Sequence, residues 1–427
     1  MKSLGRIAAT TAPVIVALVV QALPALAAAG ALDPHFSGDG KVITRVGPSF
    51  STGHAVAVQT DGRIVVAGSA QVSASGGFAF AVVRYNPHGS LDDTFSDDGR
   101  VMTRIGSTSF GRAVAVEPDG KIVVAGFAAV NGRERFAVAR YKPNGRLDRT
   151  FSGDGILTTP FMPFGRARGF DLAIQPDGRI VVAGDAGRRF ALARYKPSGL
   201  LDPSFGGDGK VTTRFRAPSG SAVGARGVAL EPDGRIVAAG TAYGFAVARY
   251  KPHGTLDATF SGDGKVITQF LGSGDGSDVA IQSDGKIVVG GTSRGPGGLR
   301  FALARYKPHG TLDTTFGGDG RVVTSFGHGF DAELNAVALP RDGRIVAAGF
   351  RQSVSCLGCA RFALSRYNPA HGGLDRSFGG DGRVVTRMTH NAAVDDLAVQ
   401  ADRKIVAAGN AYVNHRDRFA LARYLGA

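Results

Sequence analysis

One phrase, Leu-Asp-x-x-Phe, recurs seven times along the 427 residues of this chain. Successive copies begin 54 to 62 residues apart, and each is followed by Asp-Gly and a run rich in β-branched residues. A unit of this size is too small to bury its own apolar faces, so a fixed period indicates an array or a propeller. The copies begin at Leu32, Leu91, Leu147, Leu201, Leu256, Leu312 and Leu374.

The second copy predicts four short strands per repeat. Residues 113–117 and 121–125 are apolar or β-branched and flank Pro118-Asp119-Gly120, which is typical of a hairpin turn. Residues 136–141 form a third expected strand and residues 100–105 a fourth. Beyond the extreme N-terminus, no long stretch has the apolar spacing of a helix. The sequence therefore predicts an all-β protein.

Four antiparallel strands repeated around an axis describe a propeller blade, and seven copies predict a seven-bladed β-propeller over residues 30–427. One Asp-Gly-Lys-Val-Ile strand at residues 39–43 comes before the first hairpin, and the last predicted strand, which is a third strand, ends at Tyr424. We expect this first strand to complete the last blade and close the ring. An open solenoid is the alternative, but the polar capping units that solenoids need are absent from the sequence.

The N-terminus has the pattern of a secretory signal peptide. Lys2 and Arg6 precede an apolar region, and small residues follow it, which predicts removal of residues 1–27 with cleavage after Ala27 or Ala29. Without Lys2 and Arg6 the formal net charge falls from +15 to +13. A secreted or cell-surface protein this basic attracts polyanions, including cell-envelope polymers and acidic glycans. Nucleic acid is a weaker expectation because no basic cluster interleaved with aromatics stands out.

The two cysteines form one Cys-x-x-Cys, at Cys356 and Cys359 in the sixth repeat. An oxidising compartment favours a small disulfide there, although unbridged thiols are also compatible with the sequence. A metal site would need two more ligands, and the chain has no second Cys-x-x-Cys.

An arginine precedes tyrosine in the third strand of every repeat, and such a repeated charge predicts structural pairing rather than catalysis. Two sets of aspartates recur with it and are candidate partners. One is the aspartate of Leu-Asp-x-x-Phe; the other is the hairpin-turn aspartate, which glycine follows except at Asp402-Arg403, where the left-handed position is either strained or replaced by another turn. The arginines are Arg84, Arg140, Arg194, Arg249, Arg305, Arg366 and Arg423.

Function is better sought where the copies differ. In a four-stranded blade, the loop between the second and third strands and the loop from the outer strand to the next inner strand lie on the same face. Both loops vary between the repeats of this chain, and scaffolds commonly bind through such loops. The residue seven positions before each turn aspartate varies between the repeats and is expected at the mouth of the axial channel. Ordinary solvation of the channel rim is the alternative. With their next neighbours, the candidate binding residues are His54, Arg112, Phe170, Asp171, Arg226, Asp278, Asn335, Asp395 and Asp396, and the ring also includes Ser277.

We expect a monomeric binding scaffold for a glycan, a cell-envelope polymer or a protein, without a cofactor. The contrasting hypothesis is a propeller hydrolase or lactonase that uses the channel mouth with a divalent cation such as calcium. No His-Glu-x-x-His motif or phosphate loop occurs, and with no tryptophan the chain lacks the aspartate-box signature of sialidase-type propellers. Propeller enzymes assemble their sites from several blades, so missing motifs do not decide the question.

The repeat resembles the bacterial delta-60 repeat. The resemblance is carried by LDPSFGGDGKVTT, AIQPDGRIVVAG and RFALARYKPSG, motifs that recur in fixed order from Leu32 to Tyr424. It implies a propeller fold and an exported or surface protein of uncharacterised function, and it carries over no catalytic residues. Arg403 and the long sixth repeat are the main departures from the pattern.

Overall fold

The computed structural model describes residues 28–356 and 358–426 of the chain. This part contains 28 strands arranged in seven antiparallel sheets of four strands each. None of its segments forms a helix long and apolar enough to cross a membrane. The predicted all-β, seven-bladed architecture is confirmed, and the expected signal peptide lies outside the described residues.

Six blades use four consecutive strands, and in each blade the first strand lies against the first strands of both neighbouring blades. Blade 1 contains β2 to β5, and each later blade takes the next four strands. From inner to outer strand, the bounds are Ser51–Val58, Ile64–Gln71, Phe78–Tyr85 and Arg100–Thr103 in blade 1, and Thr108–Val116, Ile122–Val130, Arg133–Tyr141 and Ile156–Thr159 in blade 2. They are Ala167–Ile174, Ile180–Ala186, Phe190–Tyr195 and Lys210–Thr213 in blade 3, and Val223–Leu230, Ile236–Ala242, Phe245–Tyr250 and Lys265–Thr268 in blade 4. They are Ser273–Ile281, Ile287–Gly295, Gly298–Tyr306 and Arg321–Thr324 in blade 5, and Phe330–Ala338, Ile345–Ser353, Arg361–Tyr367 and Arg383–Thr386 in blade 6.

Blade 7 combines both ends of the chain. Its three inner strands are β26 (Ala392–Val399), β27 (Ile405–Val413) and β28 (Arg416–Tyr424), and its outer strand is β1 (Lys41–Thr44). β1 pairs with β28 in antiparallel register. The predicted closure of the ring by the N-terminal strand is therefore confirmed, and the last blade has four strands like the others of the described chain.

The apolar core lies between blades rather than within one sheet. Both faces of each second strand are buried, as in β11, whose first five residues are fully buried in alternate directions. One apolar cluster joins Leu192 of blade 3 to Ile236 and Tyr250 of blade 4, and equivalent clusters occupy the other interfaces of the described chain. Each blade therefore completes its core only against its neighbours.

The repeated arginine is held by its own blade and by the next one. Arg140 donates from Nε to Asp148 at 3.0 Å, from Nη2 to Thr150 at 3.1 Å and from Nη1 to the Pro197 carbonyl of blade 3 at 2.7 Å. Its guanidinium also lies 4.8 Å from the centre of the Phe151 ring. Every arginine of the set is paired with the aspartate of a Leu-Asp-x-x-Phe phrase. The aspartate and phenylalanine of Leu-Asp-x-x-Phe therefore hold the arginine in place, and we call these three repeated residues the clamp residues.

The tyrosine that follows the arginine contacts the opposite neighbour. The Tyr141 hydroxyl donates to Thr103 Oγ1 of blade 1 at 2.8 Å. Successive side chains of a strand point to opposite faces, so Arg140 binds the following blade and Tyr141 the preceding one. Seven Arg-Tyr pairs thus connect the blades in both directions.

The hairpin-turn aspartates do not hold the arginines, contrary to the second candidate set. Asp119 accepts the Lys121 amide at 3.1 Å and pairs with the Lys121 side chain, and the other turn aspartates likewise pair with the residue two positions later. Their role is to stabilise the turn. At the exceptional copy, Arg403 keeps the same turn with φ = 68° and donates its amide to Gln400 at 2.9 Å. The left-handed position is therefore occupied by arginine.

Candidate functional site

Each innermost strand contains one β-bulge, and its extra residue is the one that the sequence pattern places at the channel mouth. In β6, Gly111 pairs with Gly126 and Ala113 with Ala125, so Arg112 between them has no partner. A bulge re-aims the side chain of the extra residue. The seven extra residues are His54, Arg112, Phe170, Arg226, Ser277, Asn335 and Asp395.

A glycine on the second strand makes room for each bulge. A Cβ atom at Gly184 would lie 1.9 Å from the carbonyl oxygen of Arg168 on the neighbouring strand, two residues before Phe170. The equivalent glycines of the other six blades meet the equivalent carbonyl at 1.9 to 2.1 Å. Glycine in a strand interior commonly marks such a close approach. The repeated glycine of the second strand, which follows alanine in six blades and Gly290 in blade 5, is therefore the sequence signal of the bulge.

All nine predicted binding residues, and Ser277, line one cavity of about 450 Å³. This volume falls within the range of small-molecule sites, about 300 to 1,000 Å³. Thr241 and Asp275 also line the cavity and were not predicted. Asp275 precedes the bulge residue Ser277 by two positions, so the alternation of side chains along the strand could have identified it. We call this cavity the channel mouth.

One half of the channel mouth combines guanidinium groups with phenyl rings. The Arg226 guanidinium lies 4.0 Å from the centre of the Phe170 ring, and Arg168 lies 5.3 Å from the same ring. Arg112 lies 5.8 Å from Phe127. Burial lowers the pKa of both Arg112 and Arg226, although each remains a cation at neutral pH. This half is suited to an anionic or hydrogen-bond-accepting group.

His54 joins the basic half to an acidic half. Its Nδ1 atom lies 3.1 Å from Asp395 Oδ2 and its Nε2 atom 2.9 Å from the Thr52 hydroxyl. Burial lowers the His54 pKa, and the nearby Arg112 lowers it further against the opposing effect of Asp395. A neutral imidazole that donates from Nδ1 to Asp395 and accepts from Thr52 satisfies these two contacts, and Arg112 Nη1 lies 3.4 Å from the same Nδ1 atom. His54 is thus held in one orientation at the mouth.

Hydroxyl, amide and carboxylate groups form the acidic half of the channel mouth. Thr241 donates to Asp275 Oδ1 from the neighbouring blade. Asn335 donates from Nδ2 to the Val394 carbonyl at 2.7 Å, which leaves its amide oxygen as an acceptor. Asp275 and Asp395 add carboxylate acceptors. These groups can accept hydrogen bonds from the hydroxyl or ammonium groups of a ligand.

Three aspartates that line the channel mouth, each directly after a bulge residue, connect neighbouring blades. Asp171 accepts the amides of Leu172 at 2.7 Å and of Val228 in the next blade at 2.7 Å. Asp278 and Asp396 form equivalent pairs of bonds. Burial raises the pKa of all three carboxyls, to about 6 in Asp171 and about 7 in Asp396. Since both oxygens of each carboxylate already accept backbone hydrogen bonds, their role includes holding the ring together.

Among residues 28–356 and 358–426, one group of three possible metal ligands brings its ligand atoms within 4.8 Å of one another. It consists of Cys356, Cys359 and His390, outside the channel mouth. The two cysteines are joined in a disulfide, and Cys359 Sγ lies 3.3 Å from His390 Nε2. The bridge ties the ends of a short loop after β23.

Gly291-Thr292-Ser293-Arg294-Gly295 matches the Gly-x-Ser-x-Gly pattern of nucleophile elbows. That motif needs a sharp strand-to-helix turn, whereas these residues continue the β19 strand. Ser293 is only 4% exposed. The match is therefore a strand sequence and not a catalytic elbow.

Six segments match the family described as Domain of unknown function (DUF5122) beta-propeller, at residues 59–95, 117–151, 175–205, 231–260, 282–316 and 400–426. No curated protein matches the chain.

Solved structures with a similar fold include virginiamycin B lyase from Staphylococcus aureus, at 9% identity over 90% of this chain and 98% of that chain, with a TM-score of 0.50. The WD40 β-propeller domain of Doa1 is 12% identical over 90% of this chain and 97% of that chain, with a TM-score of 0.48. A protein of unknown function from Dyadobacter fermentans is 12% identical over 91% and 98%, with a TM-score of 0.47. Such identities indicate the fold alone. The six matched segments support a propeller-forming repeat family of unknown function.

Proposed function

We propose that this protein is an exported β-propeller scaffold that binds a glycan, a cell-envelope polymer or a protein through its variable loop face, and that a glycan occupies the channel mouth. The observation that carries the proposal is the convergence of seven bulge side chains, of six residue types, on one cavity of about 450 Å³. The clamp residues repeat in every blade because they serve folding, whereas the bulge residues differ. A ligand site needs such different groups at fixed positions.

The chemistry of the channel mouth favours a saccharide within this set. Arg112 and Arg226 donate hydrogen bonds and carry charge, while Asp275, Asp395 and the Asn335 amide oxygen accept hydrogen bonds. A sugar presents many hydroxyl groups that serve both as donors and as acceptors. The Phe170 ring adds an apolar surface, although Arg226 covers part of it at 4.0 Å. A carboxylate on the sugar would be bound by the basic half.

The test is binding of the purified protein to an array of glycans and to isolated cell-wall polymers. We expect Arg112→Ala and Arg226→Ala each to weaken the binding of any glycan hit by about tenfold, since each removes a charge-assisted hydrogen-bond donor. Arg341→Ala is the matched control, because Arg341 is exposed in a hairpin turn on the opposite face. Unchanged binding by both mouth variants would exclude the channel mouth as the glycan site.

A hydrolase or lactonase that uses a divalent cation at the same mouth is the second candidate function. His54 favours it, because a neutral imidazole oriented by Asp395 can accept a proton in a reaction. Metal analysis of the purified protein and a thermal shift upon adding calcium and then a chelator test this candidate. Absence of bound metal together with an unchanged melting temperature would rule out the calcium-dependent version.

Export is also part of the proposal, and it is supported by the pattern of residues 1–27. We further propose that the repeats are of the bacterial delta-60 type, as their three motifs indicate. Mass determination of the mature protein from the culture medium or cell surface tests export. Cleavage after Ala27 is compatible with the fold, whereas cleavage after Ala29 would remove a buried residue whose carbonyl accepts the Gly379 amide at 2.9 Å.

A further inference from the structure

A second cavity, of about 1,130 Å³, lies between blades 3 and 4. One wall is the β11–β12 hairpin with Arg188 and Arg189, and another is the crossing segment from blade 3 to blade 4 with Arg214 and Arg216. Lys265 of the outer strand of blade 4 completes it. We call this cavity the blade 3–4 cleft. It shares no lining residue with the channel mouth.

The charge of the cleft is not neutralised within the fold. Lys265 is paired with Asp263 at 3.3 Å. In the described part of the chain, no carboxylate lies within 4.0 Å of the guanidinium groups of the other basic residues, which are Arg188, Arg189, Arg214 and Arg216. Four unpaired cations in one concave surface create a positive potential that attracts anions.

The walls of the cleft are held in place before any ligand binds. Arg188 donates from Nη2 to the carbonyls of Pro218 at 3.3 Å and Ser221 at 2.8 Å, which connects the hairpin to the crossing segment. Phe215 is 6% exposed and packs on Phe190 with ring centres 4.6 Å apart. Because Phe215 points inward, its neighbours Arg214 and Arg216 are both exposed. Because these contacts already fix both walls, binding of a ligand would cost little conformational entropy for ordering the loops.

Guanidinium groups bind carboxylate, sulfate and phosphate groups through paired hydrogen bonds. A cleft of this size with several guanidinium groups suits a polymer that carries anionic groups at intervals. Single-stranded nucleic acid needs exposed aromatic rings for base stacking. Here Phe215 is buried, and Arg189 lies 5.1 Å from the centre of the Phe164 ring. We propose that the blade 3–4 cleft binds an acidic polysaccharide through carboxylate or sulfate groups.

Binding of the purified protein to polygalacturonate and to dextran sulfate tests this second site, with neutral dextran and a single-stranded oligonucleotide for comparison. We expect binding to both acidic polymers that weakens with added salt, and at least about a tenfold loss in the Arg214→Ala/Arg216→Ala variant. The matched control is Arg341→Ala/Arg376→Ala, which removes two exposed arginines elsewhere without a salt-bridge partner in the described chain.

Equal losses in the two double variants would show that only net charge matters and would overturn the proposal. Failure of the wild type to bind either acidic polymer, or binding of the oligonucleotide more tightly than both through Arg214 and Arg216, would also overturn it. Because those two side chains are exposed, the thermal unfolding midpoint of the variant should match that of the wild type. The Arg112→Ala variant separates this result from the channel-mouth proposal, because it leaves the cleft intact.

Discussion

Arg423 donates from Nε to Oδ2 of Asp33 at 2.9 Å, although 390 residues separate the two in the sequence. Both side chains are almost fully buried. The aspartate of the first Leu-Asp-x-x-Phe copy thus serves the arginine of the last blade, while β1 supplies the outer strand of that blade. One backbone pairing and one side-chain pairing therefore close the ring at the same place.

Asp33→Asn should lower the free energy of unfolding by about 3 kcal/mol, because it leaves Arg423 buried without its counter-charge. Urea denaturation measures the change. Asp39→Asn is the control, since Asp39 forms an exposed pair with Lys41 at 3.1 Å, and such pairs contribute less than about 1 kcal/mol. A loss in Asp33→Asn no greater than in Asp39→Asn would contradict a closing role for the Arg423 pair.

Arg403→Gly should raise the free energy of unfolding by about 1 kcal/mol. Arg403 has φ = 68°, a left-handed conformation that costs a non-glycine residue energy and that glycine adopts in the equivalent turns. Thermal and urea unfolding report the gain. The reciprocal variant Gly120→Arg, at the equivalent turn of blade 2, should be destabilised by a similar amount. An unchanged or lower stability of Arg403→Gly would show that the arginine side chain compensates for the strain.

The number of blades, the pairing of β1 with β28 and the choice of channel-mouth residues could be predicted from the sequence. Each depends on periodicity or on chain order, which the printed repeats display. The start of the innermost strand was predicted less accurately. The expected strand begins at Ala113, whereas β6 begins at Thr108. The bulge at Arg112 interrupts the alternation of apolar and polar residues, so the sequence pattern does not predict a strand before Ala113.

The individual contacts of the channel mouth could not be predicted from the sequence either. Asp171 was predicted as a ligand-binding residue, and the structure adds that both of its oxygens accept backbone amides, one from the next blade. Arg188 and Arg214 are 26 positions apart, so the blade 3–4 cleft appears only when the hairpin and the crossing segment meet. Contacts across blades depend on three-dimensional placement that a repeat pattern does not encode.

The free energy of unfolding should fall as pH rises from 5 to 8. Burial raises the pKa to about 6 in Asp171 and about 7 in Asp396, above the value of about 3.9 in an unfolded chain. Their contribution is therefore complete below pH 4 and is lost as pH rises through 6 and 7. We expect their share to be about 2 kcal/mol, below the full effect of the shifts because both side chains line an open cavity.

The Asp171→Asn/Asp396→Asn variant isolates this effect, because its difference from the wild type cancels the titration of all other groups. Urea denaturation at pH 5, 6, 7 and 8 should give a smaller decline in the variant than in the wild type. Parallel profiles would show that neither carboxyl has a raised pKa in the fold.

Gly184→Ala tests whether the bulge positions Phe170. A Cβ atom at Gly184 would lie 1.9 Å from the Arg168 carbonyl oxygen, so the inner strand must shift or lose its bulge. We expect a loss of about 2 kcal/mol in the free energy of unfolding, together with weaker glycan binding by the folded protein, because Phe170 and Arg168 would move. Gly165→Ala is the control, since a Cβ atom there meets nothing within 4 Å. Normal stability and binding in Gly184→Ala would contradict the requirement for glycine opposite the bulge.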